Sequence, residues 1–187
     1  IPRLPREPGR AFALSFGQRR IWFLDRLTPG SPTYNEAFAF RIEGDLDPAL
    51  FERAINAIVA RQEALRTRFL VVDDAPRQVI APPWTPVLDL VSLRDLPASA
   101  RLPQALSLAV ERARAPFDLG GGALLRATLF ELGDDDALLL LVVHHLAADG
   151  WAARLLLTEL SALYRASCQG LQGPLPPPLL QPVDVAR

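Results

Sequence analysis

The chain has 187 residues, half of them hydrophobic, and a formal net charge of −1, which suffices for one domain-sized core and argues against an electrostatic nucleic-acid binder. All 20 basic residues are arginine, methionine is absent, and the lone Cys168 excludes an intramolecular disulfide and fits a reducing, cytoplasmic setting. No apolar run reaches the roughly 18 residues a membrane span needs, no signal peptide is visible, and the opening Ile1-Pro2-Arg3 implies a piece of a longer polypeptide.

Residues 1–14, with three prolines and three arginines, read as a leading arm or linker. Ser15 with Gln18 three residues on can form a capping box, so a helix is predicted to start there. Ile21, Leu24 and Leu27 repeat at helical spacing, and the helix stops before Pro29-Gly30-Ser31-Pro32. Residues 34–43 alternate in part and suit a strand. Asp47 as cap and Pro48 at the first helical position mark a second helix, running to about Glu63, with Leu50, Ala54, Ala57 and Ile58 as its buried stripe. Leu65 to Val72 reads as a strand. Residues 76–90 hold four prolines and are predicted as one or two short strands joined by irregular chain. A third helix, about 101–114, and a loop from Pro116 to Gly122 follow. Gly120-Gly121-Gly122 lies between helix and strand and lacks a following Lys-Ser/Thr, so it reads as a flexible turn rather than a phosphate loop.

Ala123 to Leu132 and Ala137 to Val143 form a predicted antiparallel pair about the turn-prone Gly133-Asp134-Asp135-Asp136. The unbroken apolar run Ala137 to Val143 is the pattern of a strand buried on both faces. It runs into His144-His145-Leu146-Ala147-Ala148-Asp149-Gly150, just before a helix over about 151–168 that buries Leu155, Leu156, Leu160 and Leu163. Five prolines between Leu171 and Pro182 suit an extended linker.

Polar residues at the carboxyl end of a buried strand mark a cleft or the surface, so the chain's only two histidines are candidates for chemistry. Neighbours on a strand point to opposite faces, so one imidazole enters a pocket and the other is structural. Asp149 beside Gly150 suits a tight turn, its carboxylate either capping free N–H groups or pairing with an arginine. Zinc is poorly supported without HExxH or CxxC, a serine hydrolase lacks its G-x-S-x-G elbow, and Cys168 reads as a small helix residue.

His144 to Gly150 resembles the HHxxxDG motif of condensation domains of nonribosomal peptide synthetases, in the chloramphenicol acetyltransferase-like superfamily. Ser15 to Leu24 is similar to the family's first motif, with Gly17 where alanine is usual. Arg61 to Phe69 is similar to the second, with Gln62 where histidine is usual. Gln181 to Arg187 is similar to the fourth, with Pro182 and Val185 where aromatic residues are usual; Pro116-Phe117-Asp118-Leu119 also looks like the family. The resemblance implies an α/β (α+β sandwich) fold, a mixed sheet flanked by helices. Residues 15–170 would form the N-terminal lobe of a two-lobed domain, and 171–187 a proline-rich linker toward an absent C-terminal lobe.

The resemblance further implies amide formation between a carrier-bound acyl or peptidyl donor and an aminoacyl acceptor, with a first motif most like the subtype joining two L-configured partners. His145 would be the catalytic histidine and His144 would pack away from the channel. Asp149 would pair with an arginine, Arg61 or Arg66, and Gly150 would either bring backbone close to the thioester or serve the turn. Phosphopantetheine arms arrive on donor and acceptor carrier proteins, so no directly bound cofactor and no metal is implied. The second lobe and an adenylation domain are the other implied partners, with no nucleic acid and no membrane. An isolated lobe would be inactive. Two alternatives stay open: a non-catalytic docking or recruitment platform for carrier proteins, and an epimerising or ester-forming relative.

Overall fold

Residues 1–83, 88–171 and 175–186 are described by a computed structural model. The elements run β1 (Ala11–Ala13), α1 (Phe16–Leu27), β2 (Asn35–Glu43), α2 (Pro48–Arg61), a 3-10 turn (Glu63–Arg66), β3 (Thr67–Val72), β4 (Ala75–Ile80), β5 (Asp89–Ser92), α3 (Ala98–Ala113), β6 (Leu125–Glu131), β7 (Asp136–His144), α4 (Gly150–Cys168) and α5 (Pro182–Val185).

β7 lies inside a four-stranded sheet ordered β2-β7-β6-β5, in which β5 and β6 are parallel and the other pairs antiparallel. Its alternating side chains serve two cores. Leu139, Leu141 and Val143 pack with Phe51, Ile55 and Ile58 of α2 and with Leu160 and Leu163 of α4. Leu138, Leu140 and Val142 pack with Phe130 and with Ala105 and Ala109 of α3. Burying one such leucine contributes about 1.5–3 kcal/mol, so an all-apolar strand is most favourable between two helical layers.

A second, antiparallel sheet, β1-β4-β3, accompanies the expected mixed one. Its β3–β4 hairpin turns through Asp73 and Asp74, at φ +50° and +56°. Consecutive left-handed residues fit a type I′ turn, and aspartate is among the few side chains that tolerate them. β1 overlaps β4 only at Arg77–Val79, so Pro76 lies outside the three-stranded part. Gly122, at φ +83°, closes the glycine turn against β3; a Cβ there would lie 2.7 Å from Arg68 Cγ.

The chain ends depart from expectation. Residues 1–14 are no free arm, because β1 pairs with β4 and Phe12 and Leu14 are buried. The proline-rich stretch leads into α5, which buries Val183 and Asp184. Residues 172–174 of that stretch, Arg187 of the fourth motif and residues 84–87 lie outside the described residues. Arg6 ties the two ends together. Its Nε donates to both carboxylate oxygens of Glu63, at 3.0 and 2.9 Å, and its Nη2 donates to Asp184 Oδ2 at 2.9 Å. The Leu4 and Gln181 N–H groups also donate to Asp184, each at 2.8 Å. Asp184 is 1% exposed, and the Arg6 hydrogen bond holds its carboxyl well below the usual carboxylate range.

Helix starts match expectation better than helix faces. The Ser15–Gln18 capping box forms, and Asp47 accepts from Ala49 and Leu50 N–H. The buried residues of α2, however, are Phe51, Ala54, Ile55, Ile58 and Val59, with Leu50 and Ala57 only half-buried. In α1 nothing is fully buried, and Phe16, Phe23 and Leu27 are exposed. In α4, Leu160 and Leu163 are buried while Leu155 faces solvent.

Candidate functional site

β7 ends at His144, and the chain is pinned as it leaves the sheet. His144 N–H donates to Leu124 O at 3.1 Å, Ala147 N–H donates back to His144 O at 2.8 Å, and His145 N–H donates to Tyr34 O at 2.8 Å. The two imidazoles meet different surroundings.

His144 is 2% exposed, edge-on to Phe117 and tilted against Tyr34. Its Nδ1 accepts the Leu146 N–H at 3.2 Å, which assigns the proton to Nε2, 3.9 Å from Asp25 Oδ1. Burial, reinforced by the neighbouring His145, pushes its pKa down to about 4. At pH 7 the ring is neutral, so the approach to Asp25 is not an ion pair. Burial also pushes the Asp25 carboxyl up, against the opposing effect of Arg26.

A folded pKa below the ordinary 6.5 means that the native state resists protonation. The associated stability is complete above pH 6.5 and is lost as pH falls from 6.5 toward 4, by on the order of 3 kcal/mol. His144→Asn, whose carbonyl can accept the Leu146 N–H, is expected to flatten that part of the curve. Urea midpoints measured between pH 7 and 4 check this; an unchanged slope would contradict it.

His145 is more open, with 35% of its side chain exposed. Glu36 Oε1 lies 2.7 Å from its Nδ1, off the N–H axis, so no aligned hydrogen bond forms. Asp149 caps α4, accepting the Ala152 N–H at 2.8 Å, which is the first of its two sequence-level uses. Gly150 is the first residue of α4; its φ is not positive and an added Cβ would meet nothing within 4 Å. A backbone turn requirement therefore does not explain it.

The structure does not bring Asp149 together with Arg61 or Arg66. Arg61 approaches Glu159 Oε1 at 3.1 Å through Nε and donates from Nη1 to Pro176 O at 2.6 Å. Glu159 also accepts from Gln62 Nε2 at 2.7 Å. Asp149 and Glu159 are ten residues apart on one helix, about 15 Å along its axis, so an arginine seated at Glu159 cannot also serve the cap. Arg66 donates to Ala81 O, and burial pushes its pKa down.

Sequence reasoning missed Glu36, Tyr34 and Asp25. Each reaches a histidine from more than a hundred residues away, through the β2–β7 pairing that sets Asn35 opposite His144 or through the packing of α1. Asp25 and Phe117, beside His144, also wall a cavity of about 610 Å³ with Trp22, Phe69 and Asp118. His145 is not among its lining residues, so cavity size does not point to the more exposed imidazole. Among the described residues, no three His, Cys, Asp or Glu side chains are grouped to hold a metal ion, and no helix is long and apolar enough to cross a membrane.

The Condensation domain family model matches residues 10–179. Phosphinothricin tripeptide synthetase PhsC of Streptomyces viridochromogenes is 45% identical over 186 residues, 100% of this chain and 17% of that protein. Isonitrile lipopeptide synthase of Mycobacterium tuberculosis is 42% identical over 176 residues, 93% of this chain and 7% of that protein. Among solved structures, the starter condensation domain of rhizomide synthetase RzmA aligns with TM-score 0.80 and 28% identity, covering 87% of this chain and 39% of that one. The first condensation domain of the calcium-dependent antibiotic synthetase, in complex with substrate analogue 3a, aligns with TM-score 0.83 and 26% identity, covering 91% and 42%. The chain thus spans about two-fifths of those solved chains and a much smaller share of the synthetases.

Proposed function

Since the chain belongs to the condensation-domain family and has its chloramphenicol acetyltransferase-like fold, we propose that it is the N-terminal, donor-side lobe of an amide-forming domain of a nonribosomal peptide synthetase. The carrying observation is His145, a half-exposed imidazole on a pinned turn at the end of the sheet's most buried strand. The donor is an acyl or peptidyl thioester on one carrier protein, and the acceptor is the amine of an aminoacyl thioester on another. Both arms are phosphopantetheine and arrive with the carriers; an adenylation domain would charge them.

The amine nitrogen bonds to the donor carbonyl carbon, the C–S bond breaks, and the ammonium proton passes through His145 to the departing thiolate. An α-amine with pKa near 8 is about a tenth neutral at pH 7, so freeing it costs only about 1 kcal/mol. His145 matters later, when removing the ammonium proton prevents reversal of the tetrahedral adduct. Holding both thioesters in register adds an effective molarity that can reach about 10⁵ M. Gly150, with open space around its Cα, leaves room for a thioester beside the turn. His144, neutral and enclosed, packs the turn from behind. Alone, the lobe leaves His145 facing water and is expected to show no appreciable turnover.

Phe16, Phe23 and Leu27, exposed along α1, favour a second reading, a recruitment platform for carrier proteins. The full synthetase, supplied with loaded donor and acceptor carriers, separates the two. Intact mass of the acceptor carrier should rise by the donor acyl group. Tight carrier binding with unchanged mass would replace condensation by the platform.

A further inference from the structure

Three consecutive residues, Tyr34 and the first two of β2, run alongside the histidine turn. Tyr34 O accepts the His145 N–H at 2.8 Å. Asn35 Nδ2 donates to Ala113 O and Ala115 O, at 2.7 and 2.8 Å, and so anchors this segment to the end of α3. Glu36 then sets Oε1 2.7 Å from His145 Nδ1. That ring nitrogen is sealed from solvent and has no aligned partner elsewhere. A buried polar atom left unsatisfied is costly, which favours rotamers of the two side chains that turn the carboxylate onto the N–H axis.

We propose that Glu36 is a positioning residue for His145, keeping the ring proton on Nδ1 and leaving Nε2 as the basic nitrogen. A carboxylate is acceptor-only when ionised, so at 2.7 Å from Nδ1 it favours the tautomer with the proton there. The same negative charge stabilises the imidazolium formed once Nε2 takes the amine proton, as the buried carboxylate does in a catalytic triad. Asp149 is occupied as the cap of α4, so the orienting carboxylate comes from β2 and lies outside the His-His-xxx-Asp-Gly stretch.

The inference rests on His145 handling the amine proton, and the test keeps the two claims apart. In the full synthetase with loaded carriers, Glu36→Ala is expected to lower kcat by about tenfold with KM for the acceptor carrier unchanged. Glu36→Gln, whose amide oxygen can still accept from Nδ1–H, should recover to within about threefold of the parent rate. Nitrogen-15 spectra of the imidazole should move from the Nδ1–H tautomer toward a mixture in Glu36→Ala. Folding is monitored by thermal melts; Glu36 is 31% exposed, so Glu36→Ala should still unfold cooperatively, with a midpoint lowered only modestly by the loss of the Nδ1 acceptor. If His145→Ala abolishes turnover while Glu36→Ala matches the parent, or if alanine and glutamine variants fail equally with the tautomer unmoved, the role of Glu36 is overturned and the condensation reading stands. If His145→Ala keeps the full rate, the role of His145 as proton acceptor falls and that of Glu36 falls with it, while amide formation itself is judged by the mass of the acceptor carrier.

Discussion

Replacing His145 with alanine in the complete, carrier-loaded synthetase is expected to lower amide formation by about 10² to 10⁴-fold, the range that a positioned acid–base group contributes. The fold should survive. The His145 backbone N–H bond to Tyr34 O does not involve the ring, and the side chain is 35% exposed, so the substitution removes little buried contact. On the proposed mechanism the imidazole acts on the adduct rather than on carrier binding, so the loss should lie in kcat. Single-turnover transfer followed by intact mass would measure it directly. A variant within twofold of the parent would show that holding the two thioesters together is sufficient, with no base required.

The second large effect is on stability. Arg6→Ala strands two carboxylates, Glu63 and Asp184, that lie almost entirely out of solvent. Breaking such a buried arrangement costs about 3–5 kcal/mol, and the lower end is expected because 21% of the Arg6 side chain still reaches water. Asp184→Asn should be milder, since its amide oxygen can keep one of the N–H bonds from Leu4 or Gln181. Acid tests the same network. Asp184 has its folded pKa below its unfolded value, so its contribution is complete above about pH 4 and disappears as pH falls through the lower folded value. Asp184→Asn should show a shallower stability loss below pH 4 than the parent. Chemical denaturation at pH 7, 4 and 3 would establish both effects; equal midpoints for Arg6→Ala and the parent would remove the network from the account of what holds the chain ends.

What could be read from the residues was mostly local. Ser15 with Gln18 and Asp47 with Pro48 announce helix starts because capping is settled within one turn. The run Ala137 to Val143 announces a doubly buried strand because both of its faces are apolar. The misreadings are long-range. Ala11–Ala13 is too short to show alternation, and it becomes a strand only because β4 is beside it. Asp73-Asp74 forms the turn that Asn-Gly usually signals, so the residues around Pro76 carry no plain mark of a hairpin. Leu24 and Leu27 mark the spacing of a helix but not which face finds a partner. At the site, the histidine pair was legible from its position, while Glu36 depends on the β2–β7 register and the Arg61 partner on how α2 lies along α4.

Because the Leu4 amide touches the Asp184 carboxylate at 2.8 Å, two positions 180 residues apart in sequence are held side by side. An exchange of the stretch between them with a related chain therefore places both junctions next to each other. Chimaeras cut there should keep Arg6, Glu63 and Asp184 from the same parent.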